Sequence, residues 1–296
     1  MKSARSQQSK TGLLFIAPLV LCIIGVLIYP LCNSIVLSFT NKMFTYVKYD
    51  FIGWDNYIKL FQDDLFWLAL FHSFKFTVFG VLGALALGLL LALLLNKNTK
   101  YIAFFRGLLF LPWTLPSIVV VLTFRWLYND FYGYINYILL KSHIIDVPFN
   151  ILSSSKTAWI GVLIPLIWCY YPFVMVFLLA ALQSIDKSLY QVAELDGATK
   201  WDMFWHITLS SLKPSIIVVA ILEAIWMFCS FDLVFLLTNG GPANETLTLS
   251  LYIYKMAFPA KNMAYGTALS VIMFIFLIIF TIFYFRLVGR KQNSET

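Results

Sequence analysis

The chain has 296 residues, of which 61% are hydrophobic and only 12% charged. This leaves too little polar surface for a water-soluble globule and too much apolar surface for a disordered chain, so lipid is the solvent for most of it. The net charge of +7 comes from 21 Lys and Arg scattered between apolar blocks, a pattern that excludes a nucleic-acid-binding face.

Uncharged intervals, compared with the roughly 20 apolar residues that cross a bilayer, predict six transmembrane helices. They fall at about 13–34, 74–96, 106–128, 157–182, 214–237 and 264–286, in one all-α membrane domain over 13–288 with tails at 1–12 and 289–296. Lys2, Arg5 and Lys10 ahead of Leu13 to Tyr29 resemble the start of a signal peptide. No A-x-A site follows and the apolar run continues, so an uncleaved first span is expected. With the N-terminus inside, twelve Lys and Arg fall on the inner segments, among them Lys97, Lys100, Lys187, Lys200 and Arg290, against seven on the longer outer loops. Cytoplasmic segments carry the cationic excess, so both termini are predicted to face the cytoplasm.

In the first outer loop, Trp54, Tyr57, Ile58, Phe61 and Leu65 recur near helical spacing and predict a short surface helix. Along the second span, Gly80, Ala84, Gly88 and Ala92 form a small-xxx-small ladder that admits a close helix neighbour. Pro112 and Pro116 in the third span, and Pro165 and Pro172 in the fourth, remove backbone hydrogen bonds and bend those helices. Trp168, Tyr170 and Tyr171 suit either stacking on a sugar face or the interfacial aromatic belt. In the fifth span Glu223, Trp226, Met227, Ser230 and Val234 share one stripe. An ionisable residue in mid-membrane faces a polar path or a partner helix, so Glu223 is either a pathway group or a hydrogen-bonded packing lock. Glu223, Trp226, Met227, Ser230, Trp168 and Tyr171 are therefore the candidate substrate pathway. Asp232, nearer the outer surface, reads as a solvated or interface group.

Cys22, Cys32, Cys169 and Cys229 lie in apolar runs without CxxC spacing and read as small buried hydrophobes. His72, His143 and His206 fall in separate segments, so no metal or catalytic constellation is expected. No nucleotide-binding loop is present in the sequence, and no cofactor is expected.

The inner loop from Gln183 to Lys213 is neither Gly/Ser-rich nor highly charged. Leu189, Val192 and Ala193 give it a short apolar helix face that ends at Gly197, a residue suited to a left-handed cap. Thr199 and Asp202 fit a capping box, followed by Trp201, Phe204, Trp205 and Ile207. Two short helices that expose aromatics outside the bilayer predict a docking knob for a soluble partner.

Gln191-Val192-Ala193, Gly197 and Ile207-Thr208-Leu209 resemble the EAA loop of binding-protein-dependent ABC transporter permeases. Phe51-Ile52-Gly53-Trp54-Asp55-Asn56-Tyr57, Phe104-Phe105-Arg106 with Leu111-Pro112, Trp126-Leu127-Tyr128-Asn129 and Leu237-Thr238-Asn239-Gly240-Gly241-Pro242 are similar to maltose-type carbohydrate permeases. The likeness runs from residue 11 to 288. It implies one half of an importer's channel in a bacterial inner membrane, made with a second homologous permease, two cytoplasmic ATPases and an external sugar-binding protein. The chain itself is then no enzyme. Contact with the ATPase is implied for Gln191, Val192, Ala193, Glu194, Asp196, Gly197, Trp201, Phe204, Ile207 and Leu209.

Gln191 stands where the family usually has Glu, and Ser210 where it has Pro. Gln191 offers only neutral hydrogen bonds, so either Glu194 substitutes or the partner is adapted. The rival reading is a proton-coupled secondary transporter that uses Glu223 and Asp232, which inverted repeats would support; none is evident.

Overall fold

The computed structural model describes residues 16–45, 47–97 and 99–292, without the side chains of 285 and 287–292. The expected tail at 1–12, the first residues of the span from 13 and residues 293–296 lie outside the described residues. Twelve helices follow in chain order, and no strand occurs among the described residues. They are α1 (Ile16–Ser38), α2 (Asp55–Phe61), α3 (Asp64–Leu95), α4 (Lys100–Thr114), α5 (Ser117–Leu127) and α6 (Tyr134–Lys141), then α7 (Ala158–Gln183), α8 (Lys187–Leu195), α9 (Lys200–Phe228), α10 (Asp232–Thr238), α11 (Leu249–Ala257) and α12 (Met263–Gln292). Among the described residues five helices, α1, α3, α7, α9 and α12, are long and apolar enough to cross a membrane, and α4 with α5 makes a sixth if the bent pair is one span.

Two departures from the expected spans have local causes. The third breaks between α4 and α5 with a bend of 96°, at Leu115–Pro116, where the proline holds Leu115 extended (ψ 135°). The fifth ends at Phe228, and Asp232 opens a separate helix. At its other end α9 reaches back to Lys200, so the second inner-loop helix and the fifth span are one rod. A π-helical turn at Phe204–Leu209 lets the rod pass through the Ile207-Thr208-Leu209 motif, and Ser210 continues it where a proline would have cut a backbone bond.

The chain forms two compact units, residues 1–66 with 252–276 and residues 67–251 with 277–296. In the first, the motif from Phe51 to Tyr57 is a fastening for the end of α1. Gly53 takes a positive φ of 62°, and the Asn56 amide donates to the carbonyls of Ser38 and Thr40, both at 2.8 Å. The Tyr57 and Ser38 hydroxyls sit 2.6 Å apart. The expected surface helix is α2, with Tyr57 buried and Trp54, Ile58 and Phe61 exposed at its start or along it, while Leu65 belongs to α3. The Asp63 carboxylate accepts the hydroxyls of Tyr252 and Tyr265.

In the second unit α7 is the central helix. Its two prolines, Pro165 and Pro172, are buried, and so are Val162, Leu166, Val174, Met175 and Leu178. The glycine ladder of α3 lies against it: a Cβ on Gly80 would come 3.2 Å from Leu166, and one on Gly88 within 2.6 Å of Val174. Ala84 and Ala92 are fully buried. Lys75 places its ammonium 4.1 Å from the centre of the Trp159 ring. The cysteines depart from the expected burial: Cys22, Cys32 and Cys229 are exposed and Cys169 is half-buried, all unpaired. Apolar runs in a membrane chain serve lipid as well as core, so an apolar neighbourhood does not imply burial within the chain.

Candidate functional site

Two helix breaks meet in the second unit and build a cavity of about 470 Å³. One is the Leu115–Pro116 bend. The other is the interval between α9 and α10, where Ser230 leaves the helix and its carbonyl accepts the Ser250 hydroxyl at 2.9 Å. That bond satisfies a backbone group which the break would otherwise leave open in an apolar setting. Trp113, Tyr170, Trp226, Ser230 and Asp232 are in the wall.

Trp113, one residue after Pro112, is the hub. It stacks on Phe173 at 5.2 Å and meets Tyr170 at 5.8 Å and Trp226 at 5.3 Å, while Phe173 and Trp226 meet edge to face at 5.0 Å. Rings locked by one another present flat apolar faces at little further entropic cost, and the Ser230 hydroxyl and Asp232 carboxylate supply polar partners beside them. Such a wall suits the apolar face and hydroxylated edge of a sugar ring.

The cavity gathers Trp226 and Ser230 from the expected pathway set, but not the other four. Glu223 is fully buried one turn before Trp226, and neither carboxylate oxygen finds a hydrogen-bond partner among the described residues. Met227 is buried against Gly80. Trp168 packs edge-on to Phe124 at 5.7 Å, and the Tyr171 hydroxyl donates to the Leu109 carbonyl at 3.1 Å. Asp232, read from the sequence as a solvated or interface group, lines the cavity, and Trp113 joins it from a helix that periodicity does not connect to α9. The Pro112-Trp113 pair beside a second proline is the only local signal for it.

The second candidate site is the helix pair α8 and α9. Asp186 caps α8 by accepting the Ser188 backbone N–H at 2.9 Å, a bond that holds the Asp186 carboxyl below the usual carboxylate range. Gly197 closes α8 at φ +79°, with its N–H donating to the Glu194 carbonyl and that of Ala198 to Ala193. The chain then turns straight into the Thr199–Asp202 capping box. Val192 and Leu195 of α8 are exposed, as is Trp201 of α9. Trp201, Phe204 and Trp205 cluster at 5.5–6.0 Å between centroids. Gln191, Glu194 and Asp196 are exposed, Ala193, Ile207 and Leu209 half-buried. This end of the unit thus presents an apolar-aromatic patch rimmed by polar groups.

Residues 84–293 match the family model described as "Binding-protein-dependent transport system inner membrane component". The chain is 34% identical to the sulfoquinovosyl glycerol transport system permease protein SmoG of Agrobacterium fabrum, over 95% of this chain and 91% of that protein. It is 33% identical to the trehalose/maltose transport system permease protein MalF of Thermococcus litoralis, over 97% and 96%. A chain of a bacterial ABC transporter that imports the acidic polysaccharide alginate shares the fold, with a TM-score of 0.83 at 22% identity, covering 97% of this chain and 99% of that one.

Proposed function

Because the chain belongs to the binding-protein-dependent transport system inner membrane component family, we propose that it forms half of the passage through which a sugar or short oligosaccharide enters the cell. It is a multi-pass permease subunit of an ABC importer and is not itself an enzyme; ATP hydrolysis resides in partner subunits. The proton-coupled alternative has no support, since the energy source of this family is the ATPase.

The observation that carries the sugar reading is the Trp113–Tyr170–Trp226 wall with Ser230 and Asp232 beside it. The related SmoG, MalF and a lactose permease of Rhizobium radiobacter all carry sugars or glycosides in their names, which supports the same cargo class. In this reading a homologous permease supplies the other half of the passage, and an external binding protein delivers the cargo.

Both termini, α8 and the first turns of α9 lie on the cytoplasmic side. The patch of Val192, Leu195, Trp201 and Phe204 seats in the ATPase, with Gln191, Glu194 and Asp196 at its rim. Because α9 is one continuous helix from Lys200 to Phe228, though with a π turn and Pro214 inside it, a displacement at Trp201 is carried along the helix to Trp226 in the cavity wall. ATP-driven closure of the ATPases therefore re-aims one side of the cargo cavity, and the two states of the passage differ in their contacts with the sugar. The test is sugar-stimulated ATP hydrolysis by the reconstituted complex of both permeases, ATPases and binding protein. Hydrolysis that no mono-, di- or trisaccharide stimulates would remove the sugar reading.

A further inference from the structure

A second cavity, of about 500 Å³, lies where α5 ends, and it shares no lining residue with the aromatic one. Arg125, Tyr128, Asn129, Asn150 and Ser153 supply most of its polar wall. Hydrogen-bond accounting shows an imbalance. The Asn129 amide oxygen accepts the backbone N–H groups of Phe131 at 2.9 Å and Tyr132 at 3.1 Å, and the Asn150 oxygen accepts that of Leu152 at 3.1 Å. These bonds fix which amide atom is oxygen, and neither Nδ2 group has an acceptor among the described residues. The Tyr128 hydroxyl is buried, with 2% of the residue exposed, and has no hydrogen-bond partner among the described residues. Arg125 spends one N–H on the Leu237 carbonyl at 3.1 Å and has no ion-pair partner among the described residues.

The wall therefore holds one exposed cation, two half-buried amide donors and a buried hydroxyl that has no partner among the described residues. No carboxylate is in the lining. Unspent donors around a guanidinium select an anionic oxygen acceptor, because the planar fork of Arg pairs two oxygens at once. A single Arg balances a single negative charge, which matches a carboxylate rather than a dianionic phosphate. The volume exceeds one carboxylate, so the group arrives attached to a larger body.

We infer that the Arg125 cavity is a carboxylate-binding socket distinct from the aromatic cavity. Placing it on the outer side rests on the reading above. There the carboxylate comes from one of two sources, an acidic side chain of the external binding protein or a uronate ring of the cargo.

Two measurements separate the sources. Galacturonate, with galactose as the neutral control, is titrated into the purified permease pair, and association of the binding protein with the full complex is measured in parallel. Arg125→Gln and Asn150→Asp are compared with wild type; Asn150→Asp keeps the oxygen that accepts from Leu152 but replaces the amide donor with a negative charge. Each should lower affinity roughly tenfold or more in at least one arm, and Arg125→Lys, which retains the charge without the fork, should lose less. Loss of binding-protein association assigns the socket to a protein side chain, and loss of galacturonate binding alone assigns it to the cargo. If Arg125→Gln fails to assemble, Asn150→Asp decides. Variants within twofold of wild type in both arms overturn the socket. Sugar-stimulated hydrolysis by the wild-type complex tests the transport reading independently of either variant.

Discussion

The hydroxyls of Tyr190 and Thr208 lie 2.9 Å apart and tie α8 to the π-helical turn of α9, with Thr208 buried. Eighteen residues separate them, so the bond fixes the angle between the two helices that carry the exposed aromatic patch. Tyr190→Phe and Thr208→Val each remove this bond. Each should cost about 1 kcal/mol and loosen the patch, lowering ATPase affinity and transport together with little change in permease amount. A double-mutant cycle checks the pairing, because the double variant should cost less than the two losses added. Additive losses would mean that the hydroxyls do not act as a pair.

At Gly197 the backbone, not crowding, sets the constraint. Its φ of +79° is one that L side chains rarely adopt, and a Cβ built there would meet nothing within 4 Å. Gly197→Val and Gly197→Ala should therefore both destabilise the turn, by about 1–3 kcal/mol, and weaken ATPase association while insertion and pairing with the second permease persist. Gly197→Asn should retain most of the coupling, since Asn visits the left-handed region more readily. Wild-type hydrolysis and association in Gly197→Val would show that the α8–α9 turn does not aim the patch.

The Gly197 turn and the capping box after it could be read from short stretches of chain because their causes are local, unlike the Tyr190–Thr208 bond. A capping box needs Thr199 and Asp202 three residues apart, and a left-handed cap needs a glycine after an apolar helix face. The aromatic cavity was less legible. The stripe from Glu223 to Val234 assumes a continuous helix, but the helix ends at Phe228 without a Gly or Pro to mark the place. What satisfies the break is the Ser250 hydroxyl, 20 residues further on, a tertiary bond with no periodic signature. Trp113 meets Trp226 only because the chain bends at Pro116, and a proline announces a bend without giving its angle. The unspent donors around Arg125 were likewise invisible, since they emerge only after the bonds of Asn129 and Asn150 are counted.

The α3–α7 contact makes a steric prediction. A Cβ at Gly88 would stand 2.6–2.7 Å from Val174 side-chain atoms and 3.0 Å from the Met175 backbone nitrogen, and the last of these cannot move by changing rotamer. Gly88→Ala should cost about 1–3 kcal/mol and lower the thermal unfolding temperature of the purified permease pair. Val174→Ala should restore only part of the loss, because the backbone contact remains. At Gly80 the nearest atom is the Met227 sulfur at 2.6 Å, on a flexible side chain, so Gly80→Ala should cost less. Equal losses at Gly80 and Gly88 would contradict this account.

Topology is tested in a variant whose four natural cysteines are replaced, since three of them are exposed. Cysteines are then placed singly at Ile144 and Lys100, both exposed. The charge distribution predicts that an impermeant thiol reagent labels position 144 in intact cells and position 100 only after permeabilisation. The reverse labelling would invert the proposed orientation and move α8 to the outer side.

Glu223 presents a fully buried carboxyl group with no hydrogen-bond partner at either oxygen among the described residues, seated on α9 one turn before the cavity wall. Such a group costs stability, and a chain that keeps it without a function gives up free energy. Replacing it with Leu, which fills similar space without polar atoms, should raise the thermal unfolding temperature of the permease pair, while Glu223→Ala leaves a cavity and should lower it by an amount typical of about 2–4 kcal/mol. Transport is expected to move the other way for Leu: uptake falls although the fold is firmer. In this reading the Glu takes a partner only in the second state of the passage, so Glu223→Leu slows the transition between states. Glu223→Gln separates charge from hydrogen bonding, since it retains both a donor and an acceptor. Uptake preserved in Gln and lost in Leu would assign the role to hydrogen bonding, and loss in both would assign it to the carboxyl group itself. If Gln, Leu and Ala all keep full uptake at equal protein level, Glu223 takes no part in the transition.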